Sequence, residues 1–245
     1  MIAKSNGEKR DWTLVLLTTF AGLLSAFITM CLNYPFGHYA VSHSRFLDFS
    51  QMFYPGAVFG AILVGCFALR GYLRGPWKAI AIFVAFSASY FLSFWVAATT
   101  ELYSPFLEDR ARGEISGQAL FVGGVVGALC TLSAVSLLLN SEFTWRRRIF
   151  KALCWTPVGG LLGIAGWTLG PSLGMAFWQV VHSINLTAPS ETIRNAEGQT
   201  SHAYSLWAVW QVGIGSALGL IVSGKRSATD EGGTASGELI KLLDK

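Results

Sequence analysis

Apolar residues run along this chain in long uninterrupted blocks, without the alternation of strands or the one-sided periodicity of surface helices. Six stretches of 21 residues or more contain no Asp, Glu, Lys or Arg: 12–44, 49–69, 79–100, 115–141, 152–190 and 198–224. A hydrocarbon layer about 30 Å thick calls for roughly 20 apolar residues of helix. A charge at its centre costs about 2.5–3.5 kcal/mol even on the mildest scale. The pattern therefore predicts six membrane-spanning helices, near 13–33, 52–69, 79–99, 118–139, 152–171 and 203–223. Transmembrane β-strands would instead alternate over segments of about 10 residues with a polar lumen face, and these blocks do not. The expected fold class is all-α: a polytopic integral membrane protein whose six helices form three hairpins over residues 1–223.

The fifth block is longer than a bilayer needs. Its 39 residues would make a helix of about 58 Å at a rise of 1.5 Å per residue. Gly170-Pro171 divides it, because proline lacks a backbone donor and restricts the residue before it. Two arrangements stay open for residues 172–184 (SLGMAFWQVVHSI): a short helix at the outer interface, or the end of one long kinked helix. Nearer the inner end, Pro157 followed by Gly159-Gly160 predicts a flexible point. Residues 224–245, rich in Gly, Ser, Thr and Ala with mixed charges, read as a flexible tail.

Orientation follows from Lys and Arg alone. Of the 18 basic residues, 14 fall in segments that six spans place on one side: Lys4, Lys9 and Arg10; Arg70, Arg74 and Lys78; Arg146, Arg147, Arg148 and Lys151; and Lys225, Arg226, Lys241 and Lys245. The opposite loops hold Arg45, Arg110, Arg112 and Arg194. Both termini are therefore expected in the cytoplasm, in a bacterium at its cytoplasmic membrane. Tryptophans collect toward the span ends, as interfacial indoles do. The first apolar run exceeds the 7–15 residues typical of a signal-peptide core, and no small-x-small cleavage site follows it. It is expected to stay as a transmembrane helix.

Composition narrows the function classes. The chain has 245 residues, 52% hydrophobic and 13% charged, about half the charge of a soluble domain. Nothing is large enough to be a soluble domain between the spans. Cys31, Cys66, Cys130 and Cys154 form neither a CxxC pair nor a disulfide framework. The spans hold no carboxylate, Lys or Arg, which argues against proton pumping or carboxylate-coupled ion transport. No P-loop and no HExxH occurs, so no catalytic residue, metal site or cofactor is expected within the bilayer.

What remains is a set of weaker signals. Small residues spaced four apart let membrane helices approach closely: Gly56 and Gly60, Gly123 and Gly127, Gly159 and Gly163, and Gly215 and Gly219 are expected at helix contacts. The first, second and fourth pairs hint at an internal repeat, although the fourth sits at a different depth. All four histidines, His38, His43, His182 and His202, fall on the expected outer side with Asp48, Glu101 and Glu191. Imidazole binds metals and titrates near neutral pH, yet no pair of them has a recognised ligand spacing. Ser and Thr dot the spans, and Gln211 is the most demanding, since a buried amide wants several partners. With Trp207 and Trp210 nearby, it is expected to fasten neighbouring helices, with a small polar and aromatic pocket as the alternative. The run Arg146, Arg147, Arg148 and Lys151 would set topology and meet anionic lipid heads; nucleic acid is not an expected partner.

These features leave three uses open. The first is a non-catalytic subunit that binds or transports a small solute in a pocket opening outward. The second is a structural or assembly partner, holding another membrane protein or a second copy of itself through its glycine faces. The third is an enzyme acting on lipid head groups through the outer histidines and acids.

Overall fold

A computed structural model describes residues 11–43, 53–73, 75–102, 116–139, 145–174, 176, 179–180 and 197–223. Beyond Leu32 in the first helix and before Ser205 in the last, it describes the backbone alone. Six α-helices account for most of these residues: α1 (Trp12–His43), α2 (Tyr54–Leu69), α3 (Pro76–Leu102), α4 (Gly117–Leu138), α5 (Trp145–Thr168) and α6 (Glu197–Val222). A π-helical turn, Gly170–Gly174, follows α5. Five stretches are long and apolar enough to cross a membrane: Trp12–Leu32, Pro76–Glu101, Gly117–Leu138, Ile149–Thr168 and Ser205–Val222. Helix α2 is equally apolar but has 16 residues. The chain is an all-helical integral membrane protein.

Local chemistry sets the helix ends. Asp11 caps α1 by accepting a hydrogen bond from the Leu14 amide at 3.1 Å, and Ser116 caps α4 by accepting from Ala119 at 3.2 Å. Such caps satisfy amides that have no partner within the helix. Helix α2 starts with Pro55 in its first turn, where a missing donor costs nothing. It stops at Gly71, whose φ of 70° is a left-handed conformation that glycine adopts freely. Two bonds close that end, from Gly71 N to Ala68 O and from Tyr72 N to Phe67 O, both 2.9 Å. This is the paired closure of a Schellman motif.

Each helix packs on its sequence neighbours, and α6 returns to pack on α1, so the six close a ring. Helices α4 and α6 also touch across it. The ring brings residues 11 and 223 to the same end, where Asp11 N donates to Ser223 O at 3.5 Å. Glycines line five of the six neighbouring contacts. A Cβ on Gly56 would stand 2.6 Å from Phe86 O of α3, one on Gly163 2.6 Å from Leu120 O of α4, and one on Gly166 2.7 Å from Leu206 Cα of α6. One on Gly123 would stand 2.8 Å from Ala97 Cβ of α3, and one on Gly219 2.7 Å from Val15 Cα of α1. Lipid offers no hydrophobic drive for helix association, so close backbone packing has to supply it.

The interior is divided along its length. Toward the Asp11 end it is a continuous apolar core of Leu14, Leu63, Phe67, Ile82, Leu132, Val135, Ile214 and Leu218, with Phe59 and Phe86 meeting edge to face at 5.4 Å. The outward faces are apolar as well: Leu16, Phe20, Val84, Trp95 and Leu161 are all exposed. An apolar exterior of this extent is foreign to a soluble monomer and suits lipid.

Several boundaries differ from those the hydrophobic blocks predict. Helix α1 runs on to His43 where a loop is expected from residue 34, making it about 48 Å long at 1.5 Å per residue. Past the hydrocarbon a helix has no reason to end, and the bond lost at Pro35 falls where water replaces it. Helix α5 starts at Trp145, so the basic run forms its opening turns rather than a loop. Hydropathy marks the edge of the lipid, not the edge of the helix. At Gly170-Pro171 the chain breaks as expected: α5 ends at Thr168, and the π turn packs on α6. Helical backbone recurs at residues 176 and 179–180; residues 181–184 of the segment 172–184 lie outside the described residues, as does the tail. Helix α5 continues through Pro157, and Gly159 and Gly160 beside it pack against Gly124 and Phe121 of α4. Of the three repeated glycine pairs, Gly56 with Gly60 and Gly123 with Gly127 both pack on α3, the second also against Trp210, whereas Gly215 and Gly219 pack on α1.

Candidate functional site

The hydroxyls of the spans fall into two groups. Thr18, Thr19, Ser89, Thr131, Thr156 and Ser216 each donate to the carbonyl four residues earlier, at 2.6–2.9 Å. That is how a helix in lipid satisfies a hydroxyl by itself. Ser25 and Thr29, fully buried on α1, do not: neither hydroxyl has a hydrogen-bond partner among the described residues. The same holds for Ser205 on α6.

Gln211 is the extreme case. The residue is 1% exposed, against 69% for Leu16 on the outer face, yet neither its Oε1 nor its Nε2 meets a partner. The neighbouring Trp210 is also buried with its indole N–H unpartnered. Leaving one buried polar atom unpaired costs about 1–3 kcal/mol. Native structures rarely tolerate several together.

Register places Gln211, Trp210 and Ser25 near one level, and Thr29, seven residues past Gly22, about 10 Å farther from the Asp11 end at 1.5 Å per residue. A Cβ on Gly22 would meet the backbone of Gln211 and Val212, which sets Ser25, three residues further along α1, within a turn of Gln211. Trp210 lies across the ring against Gly127 and Ser93, and Ser93 Oγ donates to Gly123 O at 2.7 Å. Trp207 donates its indole N–H to the Tyr90 hydroxyl. Tyr54 Oη donates to Thr29 O at 3.4 Å, which brings α2 to the same region. Five helices, α1, α2, α3, α4 and α6, thus contribute to a polar and aromatic zone running from Gln211 to Thr29, beside a small apolar cluster of Ala26, Met30 and Ala208. The sequence singled out Trp207 and Gln211. Ser25 and Thr29 looked there like any other hydroxyl, since only the bond each fails to make sets them apart.

The two ends of the ring carry charge. At one end Arg70 donates from Nε at 3.2 Å and from Nη2 at 2.9 Å to Oδ2 of Asp11, and Tyr72 adds a hydroxyl at 3.3 Å. Burial alone would push the Asp11 carboxyl up. The bonds from Arg70, the Leu14 amide and Tyr72, with the guanidinium charge, outweigh it and hold the pKa below the usual aspartate value. At the other end Glu101 Oε2 accepts from Ser116 N at 2.9 Å and from Ser116 Oγ at 2.6 Å, tying α3 to α4. The sequence reading missed the Asp11 clasp, although an Asp just before an apolar run is a helix-start signal.

His38 and His43 fall on the end of α1, and His202 on the first turns of α6, where only backbone is described; His182 lies outside the described residues. Among the described residues no group of His, Cys, Asp or Glu is placed to hold a metal. Arg146 and Lys151 are exposed on the opening turns of α5, and the side chains of Arg147 and Arg148 are outside the description. Cations at a helix N-terminus oppose its dipole by about 0.3–1 kcal/mol each, so the helix itself gains nothing from this run. No protein-family model matches the chain, and neither a curated protein nor a solved structure does.

Proposed function

We propose that the protein is a six-span membrane protein with both termini in the cytoplasm, and a non-catalytic subunit that binds or transports a small solute. The six-span reading counts α2 as a crossing. It sits between α1 and α3 in the ring, from the level of Thr29 at Tyr54 to that of Asp11 at Arg70. Its 16 residues give about 24 Å, a small mismatch that local thinning of the bilayer absorbs. The excess of Lys and Arg assigns the Asp11 end to the cytoplasm. The run from Arg146 to Lys151 then lies at the inner leaflet, where each basic residue gains about 1 kcal/mol from anionic lipid.

The observation that carries the functional reading is the buried, unpartnered amide of Gln211. A scaffold gains nothing from hiding such a group, whereas a solute site needs polar atoms not yet spent on the protein. The polar layer lies toward the outer face, and the apolar core with the Asp11–Arg70 clasp closes the ring on the cytoplasmic side. Native mass spectrometry of the protein released from nanodiscs tests the reading. A small-molecule adduct on the wild type that is missing from Gln211→Met supports it. A bare chain, or one carrying another membrane protein at fixed stoichiometry and no small molecule, overturns it.

A further inference from the structure

Resting on the solute reading, we infer that the layer formed by Ser25, Trp210 and Gln211 selects an uncharged solute carrying both a hydrogen-bond donor and an acceptor, of the carboxamide type. Two observations independent of each other lead there. The first is the inventory of unspent atoms. Gln211 Oε1 only accepts, while Gln211 Nε2 and Trp210 Nε1 only donate, and the hydroxyl of Ser25 does either. An anion would pair the donors and leave Oε1 orphaned. A cation without acceptors would pair Oε1 and leave two N–H groups orphaned. A neutral amide serves both at once, because its carbonyl and its NH2 mirror those of Gln211.

The second observation is charge. The apolar stretches that build the ring contain no Asp, Glu, Lys or Arg. The described contacts of charged side chains sit at its two ends, the ion pair of Asp11 with Arg70 and the hydrogen bonds from Ser116 to Glu101. A charged solute in the layer would meet no counter-charge, and burying an unpaired ion is far costlier than burying a neutral polar group.

Three planar isosteres separate the possibilities: acetamide, which donates and accepts; acetate, which only accepts; and acetamidinium, which only donates. Saturation-transfer difference NMR on the detergent-solubilised full chain reads the methyl signal of each. The expected result is transfer to acetamide on the wild type that drops at least fivefold in Gln211→Met, with acetate and acetamidinium at the level of that variant. Ser25→Ala gives the same drop and serves if Gln211→Met fails to fold. Transfer to either ion as strong as to acetamide overturns the neutral class while leaving a solute site in place. Transfer to acetamide that is unchanged in both variants, or absent from the wild type, also overturns it. The broader reading falls separately, on the mass measurement.

Discussion

Trp210 lays its indole against Gly127 of α4, where a Cβ would stand 2.9 Å from Cζ2 and 3.0 Å from Ser93 Oγ. The glycine is therefore a seat for an aromatic ring from across the bundle, and the contact fixes the register of α6 against α3 and α4. That register puts Gln211 into the interior rather than against lipid.

Substituting that seat should cost stability. Gly127→Ala forces the indole or Ser93 to shift, and overpacking of this kind costs about 1–3 kcal/mol. Gly65, in α2, has nothing within 4 Å of its Cβ position. Gly65→Ala should be neutral or stabilise by up to about 1 kcal/mol through helix propensity. Thermal unfolding of the two variants in one detergent gives the comparison.

Asp11 makes stability depend on acid. Its folded pKa lies below that of the unfolded chain, about 3.9. Its contribution is therefore complete above that value and is lost as pH falls through the lower, folded one. Asp11→Ala removes the cap and the Arg70 contact and should cost about 1–2 kcal/mol near neutral pH. Asp11→Asn keeps a cap but drops the charge, so it should lie between the two and flatten the acid limb. Unfolding midpoints from pH 3 to pH 7 check both the order and the slope.

Topology gives a third expectation. Reporter enzymes active only outside the cytoplasm should be silent when fused after residues 74, 146 and 226, and active after residues 45, 110 and 194. Loss of α2 as a crossing would reverse the pattern after residue 74.

How much of this was legible beforehand depends on what each feature requires. The six blocks came from the absence of charge, which the bilayer enforces residue by residue, so their positions could be read directly. Helix ends could not: α1 reaches His43 and α5 begins at Trp145, because hydropathy reports the lipid boundary and says nothing of helix beyond it. Gly124 and Gly159 could be marked as small residues, but that they press on each other depends on which helices are neighbours in the ring. Gln211 stood out as an amide among apolar residues. Ser25 did not, because a serine that bonds its own helix and one that does not are the same letter.

The central claim is that Gln211 is buried for a solute and not to hold the bundle together. The most direct measurement is the stability of Gln211→Met without added solute, compared with wild type stripped of any bound molecule. An amide with no partner costs the fold about 1–3 kcal/mol, so replacing it by an apolar side chain of similar size should leave the unfolding midpoint unchanged or raise it. A loss of about 2 kcal/mol or more, as expected from breaking a buried hydrogen bond, would mean that Gln211 fastens helices together, and would contradict the account.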